Sequence, residues 1–190
     1  MTRRFLLASA AAPIATIAQA RQDPEFPNWP PSHIDKLLTD SPWAKPYTAG
    51  YTVGRAVQTE LNLTTRFSSA LPIRQALSLV EDTPAAPAPE RYIVEVGSFL
   101  VTAVKQGAKK LEADFARSAR LSVKGRKPLA PVEVFVPEHG MYLSAKLEFP
   151  RYENLSADEG SIEFHAESSP FVIKQSFPLR RMMYQGALEL

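Results

Sequence analysis

Not one of the 190 residues is cysteine. No disulfide can form, so a chain of this size has to hold together by its core alone. Histidine is scarce too, with only His33, His139 and His165. A zinc site would therefore have to rely on carboxylates, and the H-E-x-x-H pair is missing. Neither a P-loop nor G-x-G-x-x-G occurs, which argues against nucleotide and dinucleotide folds. G-x-S-x-G and S-x-x-K, two signatures of serine hydrolases, are absent as well. Only a triad assembled from distant residues would escape that test. No motif calls for a cofactor.

Long apolar runs are also few, and the one that stands out is N-terminal. Arg3 and Arg4 form a positive start, Phe5 to Ala18 an apolar run, and Ala18-Gln19-Ala20 a small-x-small cleavage pattern. That order predicts a signal peptide over residues 1–20, cut after Ala20. The run is shorter than the roughly 20 residues that span a bilayer, and no second run of that length follows. The stretch T-R-R-F-L-L at 2–7 is similar to the twin-arginine export signal, which implies crossing in the folded state; the general secretory route is the alternative. With no cysteine at the cleavage site, a lipid anchor there is excluded. The expected location is periplasmic or secreted.

Net charge is the next absence. The chain carries 22 basic and 20 acidic residues. Two of the arginines and none of the acids lie in the signal, so 20 of each remain after cleavage. A neutral body has no global electrostatic case for nucleic acid or an anionic membrane.

What is present reads as an α+β chain. Six prolines between residues 21 and 46 predict an extended arm. One short helix fits there, started by Ser32 with Asp35 and carrying Ile34, Leu37 and Leu38 on one face. Trp29 and Trp43 bracket it and should lie against the body; an exposed aromatic platform is the alternative. Period-two alternation over Tyr47–Val53 and Val57–Phe67 predicts a hairpin. Ser68-Ser69 is a candidate cap for a helix with Ile73, Ala76, Leu77 and Val80 inward and Arg74, Gln75 and Ser78 outward. A Pro/Ala loop fills 81–90, a strand is expected from Arg91 to Phe99, and a helix over 103–119 has Val104, Ala108, Leu111 and Phe115 in line. Short strands follow from 131 onward, with His139 in a Pro-Glu-His-Gly turn. The expected whole is a signal (1–20), an arm (21–46) and one domain (47–190). That domain is an antiparallel sheet of six to eight strands, a C-terminal meander included, with two main amphipathic helices on one face.

Three blocks, LLTDSPWAK at 37–45, SALPIRQAL at 69–77 and MMYQGALEL at 182–190, resemble a group of bacterial exported proteins of similar size to which no activity is assigned. The resemblance implies an exported soluble protein and carries over no catalytic residue.

The strongest local chemistry is Glu163-Phe164-His165-Ala166-Glu167. On a strand its three polar residues share one face, but the two carboxylates then lie roughly 13 Å apart at the backbone. A metal or hydrolytic site would need a neighbouring strand, with Glu148 as donor. His33 and His139 could each act as a base, yet neither has a nucleophile motif beside it. Charge is unevenly spread: residues 105–127 hold eight cations against Glu112 and Asp114, and residues 133–167 hold eight carboxylates against Lys146 and Arg151. The basic segment could meet an anionic envelope component or protein; mutual pairing of the two segments is the simpler alternative. The leading expectation is a non-catalytic binding module of the cell envelope, working through a sheet face or the basic segment. The second is an extracytoplasmic hydrolase built from Glu163, His165 and Glu148.

Overall fold

The computed structural model describes residues 26–53, 57–100, 107–139, 142–169 and 171–190. The fold is α+β, and among the described residues every strand pairing is antiparallel. Helix α1 (Pro31–Thr39) leads into strands β1 (Ala44–Val53) and β2 (Val57–Phe67), then helix α2 (Leu71–Glu81) and strand β3 (Tyr92–Leu100). Helix α3 (Gly107–Ser118) runs into β4 (Arg120–Val123), followed by β5 (Glu133–Phe135), β6 (Glu138–His139) and β7 (Tyr142–Phe149). The last strands are β8 (Ser161–Ser168), β9 (Phe171–Pro178) and the small pair β10 (Met183–Tyr184) and β11 (Ala187–Leu188). No helix among the described residues is long and apolar enough to cross a membrane.

The strands divide into two main sheets. The larger runs β1-β2-β3-β7-β5, with β6 also on β7, and the smaller runs β4-β8-β9. Their inner faces meet ring to ring: Phe67 of β2 packs edge-on against Phe177 of β9 at 5.0 Å, and Phe149 of β7 against Phe164 of β8 at 6.4 Å. Leu111 and Phe115 of α3, both fully buried, join the same core. Side chains stitch the outer edges together, because Tyr47 Oη donates to Val172 O (2.7 Å) and Gln175 Nε2 to Pro46 O (3.3 Å).

The expected arm packs as foreseen, with Trp29 and Trp43 buried in the common core. Its helix starts differently, however. Pro30 and Pro31, with φ fixed near the helical value, open α1 with no side-chain cap, so Ser32 and Asp35 lie inside the helix rather than closing it. Past its end, Ser41 Oγ donates to Leu37 O and accepts from the backbone of Trp43 and Ala44, which turns the chain into β1.

Two further expectations at α2 are corrected. Ser68 and Ser69 do not cap it; Ser69 Oγ accepts from Ile93 N (3.0 Å) and so serves β3. The free N–H of Leu71 is met by the Glu189 carboxylate (3.0 Å), 118 residues along the chain. The buried face is also rotated. Gln75 and Ser78 are buried, while Val80 is 62% exposed. The C-terminal segment covers that side, and Tyr184 hydrogen-bonds Gln75 Oε1 at 3.0 Å. Replacing Glu189 by Ala should cost about 1 kcal/mol, the usual value of a helix cap, read as a lower urea midpoint with unchanged slope.

The basic stretch after α3 contains a strand that the periodicity did not reveal. Residues 120–123 alternate half-buried and buried along β8, and a helix drawn through 119 hides them. Val104 and the rest of 101–106 lie outside the described residues. Of the two main helices, α2 packs with α1, whereas α3 packs on β8 and β5.

Candidate functional site

Strand alternation builds a trough on the outer face of the larger sheet. In β2, Leu61, Leu63 and Phe67 point into the core, so Asn62, Thr64 and Arg66 point out. The pairing register then aligns Arg66 with Glu95 of β3, Glu95 with Lys146 of β7, and Lys146 with Phe135 of β5, a single row across the sheet. In the next row Thr64 faces Gly97, and Ser144 lies beside it. Helix α1 walls one side through Asp35, Leu38 and Thr39, and Phe135 and Pro137 wall the other. The enclosed space is about 740 Å³, within the range of small-molecule sites.

Charge in the trough is already neutralised from within. Arg66 Nη2 lies 2.7 Å from Glu95 Oε2, and Lys146 Nζ lies 3.4 Å from Glu148, which Arg91 also approaches at 3.2 Å. The lining is more apolar than polar overall, and the charged groups on its floor are paired. Two aromatic side chains stand free at its rim, Phe135 at 57% and Tyr142 at 48% exposure.

A second cleft, about 890 Å³, opens between α1, the start of β1 and the β10–β11 pair. Lys36, Lys45 and Arg181 line it against Asp40. His33 sits here, half-buried with its ring 5.2 Å from that of Trp29.

No family model, curated protein or solved structure matches the chain.

The other residues singled out in the sequence fare differently. Arg3, Arg4, Ala18 and Ala20 lie outside the described residues. The backbone of His139 pairs with Tyr142 as part of β6, so it lies in a short strand rather than a free turn. Glu163, His165 and Glu167 do share the outer face of β8, with Phe164 and Ala166 in the core. His165 Nε2 comes within 3.1 Å of Glu167 Oε1 but is not aligned for a hydrogen bond. Glu148 does not join them. It sits on the outer face of the other sheet, and the Phe149–Phe164 contact lies between. Among the described residues no three His, Asp or Glu side chains gather as a metal site would require.

The charged segments partly cancel. The Arg126 guanidinium grips both oxygens of Glu159 and also donates to Glu153 O and Asn154 O. The hydrogen bond from Arg126, helped by the Ser156 amide, holds the Glu159 carboxyl below its usual value, and the same contact raises Arg126. Lys110 and Arg117 both turn to Asp114. Three of the eight cations in 105–127 are thus committed to carboxylates.

Sequence reasoning missed the trough altogether. Its residues come from α1, β2, β3, β5 and β7, and only the outward polar positions of each strand were visible in the alternation.

Proposed function

We propose that the protein is a non-catalytic binding module of the cell envelope, and that the trough over β2, β3 and β7 is its ligand-binding face. The observation that carries this reading is the concave floor of paired charges and neutral polar groups between α1 and Phe135. Its hydroxyl, amide and charged groups converge on one space of about 740 Å³. The basic segment supports the role less well, because three of its eight cations are already spent on Asp114 and Glu159. Work outside the cytoplasm rests on the signal features of residues 1–20 and suits a body that needs no thiol chemistry.

The test uses Gly97→Leu. A Cβ at position 97 would meet Ser144 Cβ at 3.7 Å, an ordinary contact, so the variant should fold while its side chain fills the trough. Residues 21–190 should co-sediment with isolated envelope fragments, and the variant should lose at least tenfold in affinity. Equal sedimentation of both proteins would overturn the reading.

A further inference from the structure

We infer that the ligand of the trough is an uncharged glycan chain; this rests on the trough being the binding face. Three features of the site point to it. Among the described residues, the charged groups that line the space are Asp35, Arg66, Glu95 and Lys146, two of each sign. A strongly anionic polymer would find no excess positive charge here, and a cationic one no excess negative charge. Binding must come from hydrogen bonds and contact area instead.

The floor supplies hydrogen-bonding groups suited to sugar hydroxyls. Asn62 and Thr64 on β2 and Ser144 on β7 are neutral groups that accept and donate. The Arg66–Glu95 pair adds a fixed row of donors and acceptors, and its ion pair is only about a quarter exposed. Planar charged pairs of this kind can bond adjacent hydroxyls without needing a charge on the ligand.

The rim supplies the apolar half. Phe135 and Tyr142 are among the most exposed large apolar side chains described, and both border the same space. A pyranose ring has one face of C–H groups that lies flat on an aromatic ring, while its hydroxyls point sideways. Phe135 stands in register with Lys146, four residues along β7 from Tyr142. At about 3.3 Å per residue, the two platforms are roughly 13 Å apart. That separation suits a chain of a few linked sugars better than one monosaccharide. Leu38 on the opposite wall gives a third apolar contact.

The experiment is amide chemical-shift mapping of residues 21–190 with four soluble tetrasaccharides. Three are neutral, derived from cellulose, from starch and from chitin, and the fourth is the anionic oligogalacturonate. At least one neutral probe should shift amides of β2, β3 and β7. Phe135→Ala and Tyr142→Ala should each weaken it about tenfold, Gly97→Leu should abolish it, and oligogalacturonate should bind more weakly. The glycan proposal is overturned if no neutral probe shifts the trough, if both ring variants bind as wild type does, or if the anionic probe binds best. If co-sedimentation with envelope fragments stays sensitive to Gly97→Leu in those cases, the trough is still the binding face and only the ligand class has failed.

Discussion

Replacing Phe164 by alanine is expected to destabilise the protein by about 4 kcal/mol, the largest effect of any single change considered. Phe164 is 1% exposed and stands where the two sheets meet, with its ring edge-on to Phe149. Alanine would remove the buried area, the aromatic contact and the filling between β7 and β8 at once. Close-packed cores collapse only partly around such a hole, so the cavity term adds to the transfer term. For a domain of this size the melting temperature should fall by about 12 °C. Phe135→Ala serves as the control. The same residue type on the outer face should change stability by no more than about 0.5 kcal/mol, and thermal denaturation of both variants checks the contrast.

Asp114→Ala is expected to cost about 3 kcal/mol, within the range for breaking a buried charged contact. The carboxylate is 2% exposed, accepts from the buried Ser168 hydroxyl at 2.9 Å, and takes Lys110 and Arg117 on its other oxygen. It therefore ties α3 to the end of β8, and its loss would leave the Ser168 hydroxyl buried without an acceptor. Lys110 and Arg117 are themselves well exposed, so water screens both contacts and the cost stays below the sum of three charged bonds. Burial alone would raise this carboxyl, but the hydrogen bonds from Lys110 and Ser168 and the two positive charges outweigh it, and the group is held below its ordinary value. A depressed carboxyl stabilises the fold above the unfolded value of about 3.9, and that contribution fades as pH falls through the lower folded value. The gap in melting temperature between wild type and Asp114→Asn should accordingly be full at neutral pH and shrink below about pH 4. A gap that stays constant with pH would mean that charge plays no part.

Both residues show what a sequence can and cannot say. Phe164 is legible, since it alternates with Glu163 and His165 on a strand and has to be on the buried side. Its partner is not, because nothing local tells β8 that Phe149 faces it. Asp114 stands four residues after Lys110, a spacing that places the two on one helix face, and the structure contains that pair. Its burial depends on Ser168, 54 residues away. Gln75 and Val80 exchange their expected places for the same reason. The helical period says which residues share a face, but what packs on that face is decided by the C-terminal segment.

The sequence by itself determined the antiparallel α+β class, the hairpin of β1 and β2, a run of short strands after residue 131 with 163–167 among them, and a fold free of disulfides. All of these follow from local periodicity, turn residues and composition, which act over a few residues. Only the tertiary structure decided that the strands split into two sheets, that β3 pairs with β7, and that Glu189 closes the start of α2. It also set Glu148 and His165 on opposite outer faces and drew the polar positions of β2, β3 and β7 into one trough. Pairing and burial of that kind depend on contacts between residues far apart in the chain, and no local pattern encodes which distant surface will arrive.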